Sequence, residues 1–150
     1  MAHDFERFPE LTNAQLDLYY FQSPHKQIFE PFSAKVIRVH DGDTITVRWR
    51  ERDFDFPVRF SNTAAPELSE KGGKESRDWL KSILEGKVVD VVVDPDNRVE
   101  KFGRLLGLVY FNGFDVGVES VFTGHGLEWN NRLDQKLPEL ILPKIAGVQI

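Results

Sequence analysis

His40-Asp41-Gly42-Asp43-Thr44 lies between two β-rich runs, Val36-Ile37-Arg38-Val39 before it and Thr44 to Trp49 after it. An Asp-Gly pair between such runs is a hairpin signal. Thr44 to Trp49 alternates, with Ile45, Val47 and Trp49 on one face and Thr44, Thr46 and Arg48 on the other, as a half-buried strand does. A third run follows, with Phe54, Phe56, Val58 and Phe60 inward and Asp55, Arg59 and Ser61 outward. This puts Arg59 on a polar face.

Further along, Lys74 to Leu84 carries Ser76, Trp79, Leu80, Ile83 and Leu84 at helical spacing, with Gly86 as its stop. Val88 to Val93 reads as a fourth strand and Leu105 to Phe111 as a fifth, closed by the turn Asn112-Gly113; a second helix covers roughly Val116 to Thr123, ahead of Gly124 and Gly126. The order of three strands, helix, two strands, helix predicts an α+β, mainly β fold. The expected architecture is a five-stranded Greek-key barrel of the oligonucleotide-binding (OB) type with two or three helices.

The third helix belongs to the N-terminal arm, residues 1–33, where Thr12 or Asn13 can cap a short segment carrying Leu16, Tyr19 and Tyr20. The arm holds seven aromatics, Phe5, Phe8, Tyr19, Tyr20, Phe21, Phe29 and Phe32. Leaving them in water is costly, so they pack on the domain or on a partner. Residues 34–130 form the domain. Residues 131–150 form an apolar tail broken by Pro138 and Pro143, with Leu140-Ile141-Leu142, Ile145, Val148 and Ile150.

Composition excludes several classes. The 150 residues are 41% apolar, which suits one domain with a sizeable core. No run of about 18 apolar residues is present, so no membrane partner is expected. The start Met1-Ala2-His3-Asp4-Phe5-Glu6-Arg7 has acids where a signal peptide needs basic and then apolar residues. Location stays open, inside a cell or within a larger particle. There is no cysteine, which removes disulfides, thiolate zinc sites and cysteine nucleophiles. The net charge of −5 opposes sequence-independent duplex binding, which usually rests on a positive surplus. Contact with nucleic acid then requires a local basic patch.

Asp41 and Asp43 supply two carboxylates at one turn, the donor type that calcium prefers. Taken alone, the run is a turn with solvated acids. Arg59 taken alone is a surface ion-pair residue, and Arg104 after Phe102-Gly103 is a strand-start charge. His40 as a transition-metal ligand competes with an ordinary strand-end histidine, and His125 reads as a helix-end or surface residue. The combination of acids and arginines is what points to a cation and a phosphate held side by side.

In combination the chain resembles the staphylococcal nuclease (thermonuclease-like) family over about residues 34–130. Asp41-Gly42-Asp43-Thr44 matches the family's metal-binding turn. Val58-Arg59-Phe60 followed by Pro66-Glu67 matches its arginine strand and acid loop, with the same eight-residue step from arginine to glutamate. Lys101-Phe102-Gly103-Arg104 matches its second arginine motif, and Val118 to Leu127 resembles the helix after the barrel.

The resemblance implies a calcium-dependent phosphodiesterase. Asp43 would be a direct metal ligand, Asp41 a water-mediated one, and Ala65 would offer its backbone carbonyl. Glu67 would act as general base or orient the attacking water. Arg59 and Arg104, with Lys101, would hold the substrate phosphate. Physical chemistry agrees: fixed guanidiniums are worth most where negative charge builds on the equatorial oxygens, and their fork suits phosphate. The chain departs from the family at Ala64-Ala65-Pro66-Glu67, where the pattern is Asp-Thr-Pro-Glu. Ala64 replaces a direct calcium ligand, and Phe102 stands where tyrosine is usual.

Two readings follow. The first is a nuclease, endo- or exonucleolytic, on single-stranded DNA or RNA with a weakened calcium site. The second is a catalytically impaired module with a structural or nucleic-acid-binding role in a larger assembly such as a phage particle, with residues 1–33 and 131–150 docking to protein partners or to other copies.

Overall fold

The computed structural model describes residues 10–12, 27–100 and 102–129. The arm helix expected from Asn13 onward, Lys101 and the tail 131–150 lie outside them.

Strand β1 (Phe32–Asp41) is long enough to serve two neighbours. Its first half pairs antiparallel with β5 (Val88–Val92), from Phe32↔Val91 to Lys35↔Val88. Its second half pairs antiparallel with β2 (Thr44–Arg48), from Lys35↔Arg48 to Asp41↔Thr44. Two register shifts, between Val36 and Arg38 and between Val39 and Asp41, place an extra residue in β1 each time. Such bulges bend a strand and re-aim its side chains. The second one lies immediately before Asp41.

Strand β3 (Phe56–Phe60) pairs with β2, and β6 (Leu105–Phe111) pairs with β5. Parallel pairing of β3 with β6, through Val58↔Leu105, Arg59↔Leu106 and Phe60↔Gly107, closes the sheet into a five-stranded barrel. The inward positions of every strand meet in one core. Val36, Ile45, Val47, Phe56, Val58 and Phe60 are wholly buried. Helix α1 (Gly73–Leu84) packs against β1 and adds Leu80 and Leu84 to that core.

The mainly β, α+β fold of OB type matches the sequence expectation, and β2, β3, β5, β6 and both domain helices begin and end within two residues of it, whereas β1 starts four residues before the run Val36–Val39. Three two-residue strands are additional. β7 (Phe114–Asp115) returns from β6 through Asn112-Gly113, whose φ angles of 51° and 81° suit the tight hairpin. β4 (Thr63–Ala64) pairs with β8 (Leu127–Glu128) outside the barrel. Helix α2 (Val116–Phe122) connects β7 to that small sheet, its first turn capped by Asp115, which accepts from the Val118 N–H.

Part of the arm is built into the domain, and β1 starts at Phe32, two residues ahead of the boundary read from sequence. Ile28 lies in the core. Glu10 accepts two hydrogen bonds from Arg52, at 2.7 and 3.0 Å, with both side chains buried. Buried Arg98 donates to the carbonyls of Leu11 and Ile28. Among the described residues no helix is long and apolar enough to cross a membrane.

Candidate functional site

The barrel register brings the distant motifs together. Asp41 pairs with Thr44 at the hairpin end, and Thr44 pairs in turn with Arg59 on β3. Gly42 is required at this turn for space. A Cβ there would stand 1.9 Å from Ser76 Oγ and 2.6 Å from the Ala65 Cβ. The acid turn is thus packed against the first turn of α1 and the end of β4.

Asp43 is buried, and both of its oxygens are used. Oδ2 accepts from the Ala65 N–H at 2.9 Å, and Oδ1 accepts from Thr44 Oγ1 at 3.0 Å. Asp41 lies half-buried beside it and accepts from the Asp43 N–H at 3.1 Å. Burial, then the adjacent charge of Asp43, push the Asp41 carboxyl up to about 7; the charge of Glu67 adds to the shift. Glu67 is exposed on the loop between β4 and α1, and its own N–H donates to Glu70.

Arg59 is not on a solvent face, contrary to the alternation argument. Only 3% of it is exposed, because the Thr63 backbone and the Trp129 ring close over it. Its Nη1 donates to the carbonyls of Phe60 and Thr63, and the Trp129 ring lies 4.1 Å from its guanidinium carbon. Its Nη2 stands 3.4 Å from Asp43 Oδ2, yet has no hydrogen-bond partner. Burial lowers its pKa, the Asp43 charge opposes that, and the nearby Arg104 charge adds to it. The group stays cationic, since guanidinium is effectively always protonated.

Arg104 reaches the same place from the turn before β6. Its Nη1 is 3.4 Å from Thr44 Oγ1. Burial works against its charge, but the hydrogen bonds and charge of Glu100 outweigh this and hold its pKa above the ordinary value. Asp41, Asp43, Arg59 and Arg104 therefore converge, with Glu67 near enough to act on Asp41. Ala65 meets the site through its N–H. Lys101 lies outside the described residues.

Several further groups of the site are not marked by motif spacing. Glu100 grips Arg104, Thr44 bridges Asp43 and Arg104, and Trp129 covers Arg59. Thr44 belonged to the quoted run, and the four-residue step from Glu100 to Arg104 was a usable signal. Nothing local marked Trp129.

The metal expectation meets a limited donor set. Among the described residues no group of three or more histidines, cysteines, aspartates or glutamates is placed to hold an ion. Ala64 has no side-chain oxygen and sits buried in β4, paired with Leu127. Its neighbours do not replace the missing acid. The Asn62 amide donates to Asp115 at 3.1 Å, and the Thr63 hydroxyl donates to the Leu127 carbonyl. Asp41 and Asp43 fit a hard cation as two adjoining carboxylates, well short of the six to eight oxygens calcium takes. The unpartnered Nη2 of Arg59 fits an anion.

No family model matches the chain. Among curated relatives, a protein of Escherichia coli O157:H7 named an uncharacterized endonuclease is 40% identical over 76 residues, covering 51% of this chain and 46% of its own length. A staphylococcal-like nuclease of Arabidopsis thaliana is 35% identical over 85 residues, 57% of this chain and 25% of its own length. A micrococcal nuclease of Shigella flexneri is 33% identical over 79 residues, 53% of this chain and 42% of its own length. The chain spans about half, or less, of the length of these relatives. Motifs, barrel and relatives agree: the chain is a relative of the staphylococcal-like nucleases.

Proposed function

We propose that the chain is a phosphodiesterase that cleaves single-stranded DNA or RNA with calcium, at a metal site weakened by Ala64. The observation that carries this reading is the pair of guanidiniums beside the acid turn, one with a buried nitrogen lacking any hydrogen-bond partner. Nuclease relatives supply the reaction class.

In this reading Asp43 would hold the cation directly, Asp41 through water, and Ala65 by its carbonyl. Bound calcium would neutralise charge on the phosphate. The remaining work falls to the chain itself. Arg59 Nη2 and Arg104 Nη1, with Lys101, hold the phosphate oxygens and oppose the charge that grows on them. Glu67, exposed on its loop, accepts the proton of the attacking water, a contribution of roughly 10²–10⁴-fold for a well-placed base. Cleavage of a labelled single-stranded oligonucleotide, compared with Glu67→Ala, tests the assignment.

Ala64 favours a second reading, in which the site binds phosphate without cleaving and the chain serves as a module of a larger assembly. That reading predicts oligonucleotide binding with no turnover at any calcium concentration, together with association through residues 1–33 or 131–150.

A further inference from the structure

We propose that Glu100 is a positioning residue for Arg104, holding its guanidinium so that Nη1 faces the acid turn. The inference rests on the phosphate-holding role given to Arg104 above.

Glu100 is 5% exposed and lies just before the turn that carries Arg104. Its Oε1 accepts from the Phe102 N–H at 3.0 Å, the Arg104 N–H at 3.0 Å and Arg104 Nε at 3.1 Å. Its Oε2 accepts from Arg104 Nη2 at 3.3 Å. The backbone reinforces this grip, because the Glu100 N–H donates to the Arg104 carbonyl and the Gly103 N–H to the Glu100 carbonyl. One buried carboxylate therefore fixes both the turn and the Nε/Nη2 edge of the guanidinium, the edge that otherwise takes a phosphate in a two-pronged contact.

The nitrogen left facing the acid turn is Nη1, 3.4 Å from Thr44 Oγ1 beside Asp43. Arg59 is divided in the same way, with Nη1 spent on two carbonyls and Nη2 left toward Asp43. The two arginines thus present one nitrogen each from fixed positions. Holding donors in place beforehand is what makes them effective toward developing charge. It also avoids the entropy cost of ordering two long side chains when substrate binds.

A residue that merely supports the turn would affect stability and nothing specific to the guanidinium. The test therefore uses two readouts on the full chain in the presence of chelator. The first is the ¹⁵N signal of Arg104 Nε–H, identified by its loss in Arg104→Lys. It should be sharp and slow to exchange in the parent chain, lost in Glu100→Gln, and largely restored in Glu100→Asp. The second is the affinity for a fluorescein-labelled oligothymidylate, followed by anisotropy. Glu100→Gln and Arg104→Ala should each weaken binding about tenfold, and the double variant no further, because they remove one shared function.

A persistent, protected Nε–H in folded Glu100→Gln overturns the proposal, and so do additive losses in the double variant. If the parent chain binds no oligonucleotide, the phosphate reading of the site fails. The Nε–H signal then decides the positioning claim by itself.

Discussion

Arg59 and Asp43 face each other with Nη2 3.4 Å from Oδ2, both almost wholly buried. The contact is a charge pair without a hydrogen bond, and Asp43 Oδ2 accepts instead from the Ala65 N–H. The arginine is anchored by carbonyls at one end and left incompletely satisfied at the other. Such an arrangement costs stability and supplies a fixed positive group at the acid turn.

Removing Arg59 should then act on both stability and function. Arg59→Ala leaves Asp43 without its counter-charge and two carbonyls without donors. Breaking a buried pair typically costs about 3–5 kcal/mol. Urea unfolding should show a loss of that order, with oligonucleotide cleavage abolished. Arg59→Lys should recover part of the stability and little of the activity, because a lysine has no second nitrogen to present.

Ala64→Asp should restore a carboxylate to the acid site. Calcium affinity measured by calorimetry is expected to tighten at least tenfold, about 1.4 kcal/mol. Without calcium the same change places a charge in the buried strand β4, so the melting temperature in chelator should fall. Unchanged affinity would mean that position 64 does not face the ion.

The raised pKa of Asp41 gives stability a pH dependence in the metal-free protein. Its carboxyl titrates near 7 in the fold against an ordinary value of 3.8. Between those values the native state holds a proton that the unfolded chain has released. The contribution of Asp41 is therefore present in full below about pH 4 and is lost as pH rises through 7. In chelator, Asp41→Asn should be more stable than the parent at pH 8, and this advantage should shrink toward pH 5. Equal differences at both pH values would contradict the shift.

Gly42→Ala should destabilise without any change in charge. The added methyl meets Ser76 Oγ and the Ala65 Cβ well inside contact distance. Overpacking of this kind costs about 1–3 kcal/mol, readable from the urea midpoint. Ser76→Gly, which clears the nearest atoms, should recover part of that loss.

Glu10→Ala tests whether the arm belongs to the domain. It removes the carboxylate that accepts two hydrogen bonds from the buried Arg52 guanidinium, and breaking such a buried pair typically costs about 3–5 kcal/mol. Light scattering of the full chain bears on the assembly reading, since a well-behaved monomer at high concentration counts against it.

The barrel was legible because β2 and β3 alternate, β1, β5 and β6 are short runs rich in β-formers closed by turn residues, and the two domain helices carry their own period. The acid turn and both arginines were legible as short motifs, and strand register alone brought them together, through Asp41↔Thr44 and Thr44↔Arg59. The burial of Arg59 was hidden, because alternation shows which side of a strand faces the core and not what covers the other side. Here the cover comes from the Thr63 backbone and the Trp129 ring. The arm's anchorage was hidden for a related reason. Arg98 finds its acceptor at Leu11, 87 residues away, a distance at which no local pattern operates. The four-residue step from Glu100 to Arg104 was a signal for the pair, but only the burial of Glu100 marks it as more than a surface one.

Cleavage of a single-stranded oligonucleotide across a series of divalent metals tests the central claim most directly. The account predicts turnover that requires calcium at millimolar rather than micromolar levels and disappears in Arg59→Ala and Glu67→Ala. Absence of cleavage at high protein concentration and saturating calcium, with the oligonucleotide still bound, would contradict it and leave a phosphate-binding module.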